Sequence, residues 1–413
     1  MRAAAIVGST GALVTGLMLA AAGPAGASTL SCGDTITSDV TLHQNLDCSA
    51  YTSGPALIIG APGVQVDLHG HQILGPGAAA DTPGILGGFS RDIVKDGTVS
   101  DFAAGVAFEP AGSSYLKRVV VRDLRVTNAA MGSAFGVIAA GLDHARISHV
   151  TTAGPFAGVF LFLSRYSTIS HSTLKYDFFG AIDEGGKHNT FSDNRAHAYP
   201  DGAGILLAQT RGDAVRDNLV GGKGGAGIAD SSSAGLHASG NTLSHLLYGM
   251  LLENTVKSLV SDNKGTADGW GLALTGNDHV SLTGNTFRNG GFGIEADYPA
   301  NLVVEHNLTN HNSEIGVYLY DGSAPPVAGK RSGAIPSAYS ALVSFNKANY
   351  NSIGFYSLFP TTGHGNDADH NTLLGCFNVS CIHGMTKLHA SIALPAHHAF
   401  PVPALPKKPA LKK

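Results

Sequence analysis

A glycine followed by an apolar residue recurs at Gly136-Val137, Gly158-Val159, Gly180-Ala181, Gly204-Ile205, Gly227-Ile228, Gly249-Met250, Gly271-Leu272, Gly293-Ile294 and Gly316-Val317. Successive copies are 22, 22, 24, 23, 22, 22, 22 and 23 residues apart. At position +14 from the glycine stand Asn194, Asn218, Asn241, Asn263, Asn285 and Asn307, whereas two earlier copies carry Val150 and Ser172 there. Three residues before that position runs an apolar column: Ile147, Ile169, Phe191, Val215, Ala238, Val260, Leu282 and Val304. Two residues after it come Leu174, Ala196, Val220, Leu243 and Phe287. Each repeat therefore holds about three short extended pieces, too short and too β-branched for helices, with no 3.6-residue period.

Such a chain winds into a coil whose strands each pair in parallel with their equivalents one turn later, about 4.8 Å along the axis. Strand twist and L-chirality favour a right-handed crossover. The prediction is an all-β, single-stranded right-handed parallel β-helix, a solenoid with about 22 residues per coil and about a dozen coils. Asparagine tolerates the left-handed backbone of a sharp corner and can stack as a hydrogen-bonded ladder, and glycine has the same steric licence at another corner. This pattern resembles the pectate-lyase-like β-helix superfamily. The stretch 39–75, with "DVTLHQNLDCSA" and "LIIGAPGVQVDLHGHQILG", resembles the opening coils of NosD-type bacterial β-helix proteins, and "IVKDGTVSDF" (93–102) fits the same pattern. The resemblance spans roughly residues 35–380 and implies the fold. It does not choose an activity, since the superfamily contains lyases, hydrolases, epimerases, adhesins and inert scaffolds. Its NosD-type branch points toward copper handling.

Outside the coils, residues 1–27 read as a secretory signal: Arg2, an apolar stretch over 3–22, and Ala25-Gly26-Ala27 as a cleavage site before Ser28. The mature protein is then expected to be secreted and extracellular, with no membrane segment. Residues 28–50 are expected to cap the first coil, 51–385 to form the β-helix with a loop insertion at 321–340, and 386–413 to be a disordered Pro- and Lys-rich tail. Four cysteines form two local pairs, Cys32 with Cys48 and Cys376 with Cys381, read as disulfides in an exported chain. The 413 residues include 54 glycines, one tryptophan and only 14% charged residues. A net charge of −4 gives no global attraction to nucleic acid.

Side chains alternate along a strand, so residues one and three past the glycine face inward and residues two and four outward. Asp183 and Asp230 interrupt the apolar inward column: either those strands end a residue early and turn the carboxylates out, which is the expectation, or the two sites are special. The plus-four column carries Glu184, Glu253 and Asp297. Glu253 and Asp297 lie two coils apart, about 10 Å, marginal for a hydrolase pair. The paired Asp-Asp of β-helix polygalacturonases is missing.

The plus-seven column carries Asp143, Arg165, Lys187 and Arg211, with His144, Tyr166 and His188 beside it. A basic stripe of this kind suits an anionic polymer and the β-elimination chemistry of a polysaccharide lyase on a uronate glycan. Arg165 and Arg211 would neutralise the carboxylate, Lys187 or His188 would take the α proton, crowding would lower the Lys187 pKa, and Tyr166 would donate to the leaving oxygen. The competing reading is a solvated turn whose charges pair with Asp183, Glu184 or Asp213. Phe160 and Phe162, with Tyr318 and Tyr320, are expected to face outward, there to stack on sugars or to be covered by a loop such as 321–340 or a partner chain.

The function this supports is a secreted carbohydrate-active protein, with lyase action ahead of hydrolysis or epimerisation. The alternatives are a non-catalytic solenoid binding glycan or cell-wall polymer, and a NosD-like copper accessory protein using residues such as His69 and His71. The polymer would be the partner, calcium is a candidate cofactor, and the oligomeric state is open. No HExxH, phosphate loop or G-x-S-x-G elbow occurs, and no metal ligand set is assigned.

Overall fold

The computed structural model describes residues 30–128, 134–154, 156–175, 178–321 and 339–384. The stretch expected to be a signal sequence, the interior of the 321–340 insertion and the expected C-terminal tail lie outside them. The described residues from Ser31 onward belong to one unit. It is a parallel β-helix. A sheet of fifteen strands runs from Asp34–Ile36 to Leu374–Phe377, one strand per coil. Two further ladders complete each coil, exemplified by Thr190–Ser192 and Arg195–Ala198, which follow Phe179–Glu184. The repeat found in the sequence is the ladder register: Val137 pairs with Val159, then Ala181, Ile205, Ile228, Met250, Leu272 and Ile294. The first coil starts earlier than expected, because strands within residues 34–47 already pair with the coil after them. Both expected disulfides are present, Cys32–Cys48 and Cys376–Cys381. The only helix among the described residues is the short 3-10 turn Ala78–Ala80, and no described helix is long and apolar enough to cross a membrane.

The glycine column works differently from the expectation. Each glycine is the second residue of its strand, not a corner. A Cβ on Gly180 would lie 2.5 Å from the Gly204 carbonyl oxygen and 3.1 Å from the Ala196 side chain. Glycine is needed because the backbones of adjacent coils meet there, on the inner side. The left-handed backbone also sits one residue away from its expected place. Asp193, Asp217 and Asp262 adopt φ near 56°, and the asparagine that follows each turns inward.

That asparagine column forms the expected ladder. The Nδ2 of Asn194 donates to Oδ1 of Asn218 (3.0 Å), Asn218 to Asn241 (2.9 Å), Asn241 to Asn263 (2.8 Å), and so on through Asn285, Asn307 and Asn346 to Asn366. Each Oδ1 also accepts the backbone N–H of the asparagine one coil earlier, as Asn241 does from Asn218 at 3.0 Å. Ser172 extends the column, accepting from the Val150 N–H and donating its own N–H to Asn194. A fully buried polar column is tolerated because nearly every lone pair and proton is used.

These buried groups make the fold sensitive to both mutation and pH. Asn241→Ala should destabilise the fold by about 3 kcal/mol or more, since it strands groups of Asn218, Val215 and Asn263 together; chemical denaturation measures this. Burial raises the pKa of Asp230 to about 6, of Asp268 and Glu295 to about 7 and of Asp297 to about 8. Raised carboxyl pKa values mean that the folded chain holds more protons than the unfolded chain between about pH 4 and 8. Stability should therefore fall as pH rises through that window, by about 1.4 kcal/mol for every tenfold by which folding tightens one carboxyl's hold on its proton. Thermal melts at pH 5 and pH 8 test the sign, with the higher melting temperature expected at pH 5.

Candidate functional site

The basic stripe exists as a ladder. Asp143, Arg165, Lys187 and Arg211 are successive bridge partners at one corner of the coil. The neighbouring rings form a stack, His144 to Tyr166 at 5.2 Å and Tyr166 to His188 at 5.2 Å, all three residues being in the left-handed region. Two features limit what this corner can bind. Arg165 is engaged, with its Nη2 donating to Asp143 Oδ2 at 3.0 Å and its guanidinium lying 4.2 Å from the Tyr115 ring centroid. The faces of the stacked rings are also occupied: Tyr166 is sandwiched, and Gly212 packs so closely on His188 that a Cβ there would approach Nδ1 to 2.5 Å. Lys187, His188 and Arg211 remain exposed.

Asp183 does not face outward. The strand Phe179–Glu184 runs to full length, and Asp183 pairs in register between Leu161 and Leu207. It is completely buried, so it is not available to touch a substrate. Asn189 Nδ2 donates to its Oδ2 at 2.7 Å. Burial first, and the nearby Asp213 second, hold its pKa well above the usual carboxylate range. Asp213 is also raised by burial and accepts the Asn189 N–H at 2.8 Å. Asp230 follows the same pattern, buried and accepting from Thr255 Oγ1 at 2.5 Å. The titratable residues of 183–188 thus divide: Asp183 points into the core while Lys187 and His188 stand on the surface. Glu184 is half-buried, which raises its pKa.

Phe160 is fully buried and Phe162 half-buried. Phe160 does point away from the core, as alternation requires, yet it sits in an apolar cluster with Ile138, Ile182, Leu206 and Leu251 on the outer side of the long sheet. It has no free face for a sugar ring.

Further along the same outer side the cluster gives way to carboxylates. On the strand Phe292–Asp297, Glu295 and Asp297 are two residues apart and share the outer face. Trp270, one coil earlier, donates its indole N–H to Glu295 Oε2 at 2.5 Å. The partners of Glu295 and Asp297 one coil later are Tyr318 and Tyr320. Asp297 is raised to about 8 by burial and then by the charge of Glu295. Glu295 is raised to about 7 by burial, with Trp270 opposing and Glu314 adding. Of these two neighbouring carboxyls, Asp297 holds its proton more strongly and Glu295 is stabilised as the anion by the indole. Glu253 is half-buried and lies two coils before Asp297, with Thr275 between them. Lys187 lies five coils from Asp297, about 24 Å, so the basic stripe and the acid pair are separate places.

The plus-four column points to Asp297 but to neither Glu295 nor Trp270. The signal for Glu295 lies in the plus-two column, where Ile182, Leu206, Ala229, Leu251 and Ala273 are followed by Glu295.

The class defined by these observations is a parallel β-helix protein with buried carboxyls on one outer face. A family model described as "Periplasmic copper-binding protein (NosD)" matches residues 187–375. The likeness to NosD-type β-helix proteins therefore holds, over the regular coils rather than the opening ones. Among solved structures, DFA-IIIase from Arthrobacter chlorophenolicus A6 in complex with GF2 superposes with a TM-score of 0.52 at 16% identity, over 70% of this chain and 84% of the other. A double mutant of the periplasmic alginate epimerase AlgG gives 0.51 at 12% identity, over 82% and 80%. These likenesses show the fold. No curated protein matches the chain.

The described residues do not fit a copper site. The one group of three His, Asp or Glu side chains close enough to share an ion is Asp67, His69 and Asp96, outside the matched region and without His71. Asp67 is already bonded to Lys95 at 2.8 Å, and all four cysteines are in disulfides. Copper sites favour imidazole and sulfur donors.

At the stacked corner, Gly212→Ala should lower stability by about 1 kcal/mol or more, because φ is +70° and the new methyl group meets the His188 ring. The checks are a lower melting temperature and a displaced His188 ring signal in the NMR spectrum.

Proposed function

We propose that this protein is an exported carbohydrate-active β-helix protein whose reactive centre is the Glu295–Asp297 pair. The observation carrying the reading is two carboxyls on one face of one strand, raised to about 7 and 8, with an indole N–H on one of them and tyrosines alongside. A protonated Asp297 can donate to a glycosidic oxygen while anionic Glu295 stabilises positive charge or activates a nucleophile, the division of labour used to cleave or transfer glycosyl groups. Trp270 is packed between Tyr248 and Phe292 and Tyr318 is buried, so the aromatic surface beside the pair that can pack on a sugar ring is that of the exposed Tyr298 and half-buried Tyr320. On this reading the basic stripe is a binding surface, and β-elimination by Lys187 gives way to acid–base chemistry at the pair.

A second reading has its own observation. Glu295 and Asp297 are almost fully covered, at 2% and 1% exposure, which suits a non-catalytic solenoid that binds polymer at its exposed corners. A groove lined by Lys175, Arg195, His197 and Leu219 on the third ladder offers such a surface.

Incubation with alginate, DFA-III, pectate and glycosaminoglycans separates the two. Catalysis at the acid pair predicts new reducing ends or transfer products on one of them, a bell-shaped pH profile, and loss of at least about 100-fold in Glu295→Gln and Asp297→Asn. Lys187→Ala should retain turnover and weaken binding of an anionic glycan. Unsaturated, ultraviolet-absorbing products lost in Lys187→Ala would move the centre to the basic stripe. Retention on a polymer with no product at all would favour the binding solenoid.

A further inference from the structure

Gly221 is a glycine that the fold does not demand. It lies inside the strand Leu219–Gly222 of the third ladder, without left-handed backbone. A Cβ added there would meet nothing nearer than Ser244 Oγ at 3.5 Å, an ordinary contact. At its neighbour Gly222 the Ala198 carbonyl oxygen would stand 2.4 Å from such a Cβ, so that glycine is required by packing. A glycine inside a strand costs about 0.5–1 kcal/mol and often marks a place where another molecule approaches the backbone. Its ladder partners are His197 one coil before and Ser244 one coil after. The missing side chain between them leaves an open groove of about 330 Å³ on the outer side of the ladder, also lined by Lys175, Arg195 and Leu219.

No residue lining this groove is acidic. Lys175 and Arg195 stand exposed on adjacent strands, Thr173–Lys175 and Arg195–Ala198. Neither forms an ion pair with a described residue. An unpaired guanidinium and ammonium beside a floor of bare backbone suit an oxyanion carried on a flat molecule, with the guanidinium able to take a carboxylate or sulfate through two parallel hydrogen bonds. We propose, resting on the glycan reading above but not on the acid pair, that this groove is the anchoring subsite for an anionic polysaccharide. An acidic sugar unit lies over Gly221 against Leu219, its oxyanion held by Lys175 and Arg195. The ladder also sets the direction of the polymer. One outward column runs Arg125, Thr151, Thr173, Arg195, Leu219, Thr242, Lys264. It presents a cation every third coil, about 14 Å apart, with hydroxyls between. A chain bearing acid groups can therefore lie parallel to the axis and meet a cation on either side of the groove. The lining has no Phe, Tyr or Trp on which the bases of a single-stranded nucleic acid would stack.

The test is calorimetric titration of the full chain with alginate oligosaccharides, a sulfated glycosaminoglycan, neutral dextran and single-stranded DNA. One of the two acidic glycans should bind, and which one does identifies carboxylate or sulfate as the oxyanion; dextran should not. Lys175→Ala/Arg195→Ala should weaken that binding by about tenfold or more, through lost charge. Gly221→Val should weaken it as much by filling the groove while both cations remain, with a melting temperature no lower than that of the parent. Binding unchanged in both variants but lost in Lys187→Ala would overturn the groove and keep the glycan reading, moving the polymer to the basic stripe. DNA binding that is lost in Gly221→Val, with no glycan bound, would overturn it in favour of a nucleic acid. No binding by any glycan or by DNA would overturn the groove and the glycan reading together.

Discussion

The structure depends on the stacking of one coil's backbone directly upon the next, and the asparagine ladder shows what that stacking demands. At each turn the chain reverses direction with its peptide groups buried, where an unpaired N–H or carbonyl costs about 1–3 kcal/mol. The ladder meets this with one residue type in a fixed place. Each side chain accepts from the coil before it, and its Nδ2 donates to the coil after it and to a carbonyl of the coil before, as Asn241 does to Val215. Coils pinned this way repeat at the strand spacing, and every other column of side chains inherits that spacing. The glycine column is the corresponding constraint on the long sheet, where adjacent backbones come too close for any side chain.

Once coils repeat, a residue's environment is set by its column more than by its sequence neighbours. The same rule places stacked rings at one corner and buried carboxyls at others. Asp183 and Lys187 are four residues apart yet occupy a sealed core and an open corner. Leu163, Tyr166 and His188 adopt left-handed backbone that is unusual for bulky residues. The fold tolerates them because the corner geometry is fixed on both sides by buried hydrogen bonds, such as Ser167 N–H to Asn189 Oδ1 at 2.9 Å.

Much of this was legible in the sequence. The Gly-apolar spacing carried the register, and the Asn column carried the ladder. Ser172 could not be recognised as a ladder member, because a hydroxyl substituting for an amide is visible only once the columns are aligned in space. The side of the sheet that Phe160 faces followed from alternation, but its burial did not, since alternation says nothing about what lies over a face. Asp183 was misplaced for a related reason. A carboxylate in an apolar column looks prohibitively costly until Asn189 and Asp213, from neighbouring corners, are seen to share its burial.

The acid pair illustrates how a covered face changes the chemistry of the residues on it. On a bare β-helix surface, Glu295 and Asp297 would be ordinary solvated carboxylates, ionised at neutral pH and repelling each other weakly through water. Covered, they lose hydration, their mutual repulsion grows, and Asp297 holds a proton to about pH 8. Trp270 then decides between them, because its indole N–H favours charge on Glu295 rather than on Asp297. The proton inventory of this face is therefore a property of the cover as much as of the strand. Any event that uncovers the face returns both groups toward ordinary acidity, and access for a ligand and the readiness of Asp297 to donate a proton pull in opposite directions. A ligand that itself excludes water would reconcile the two by replacing one cover with another.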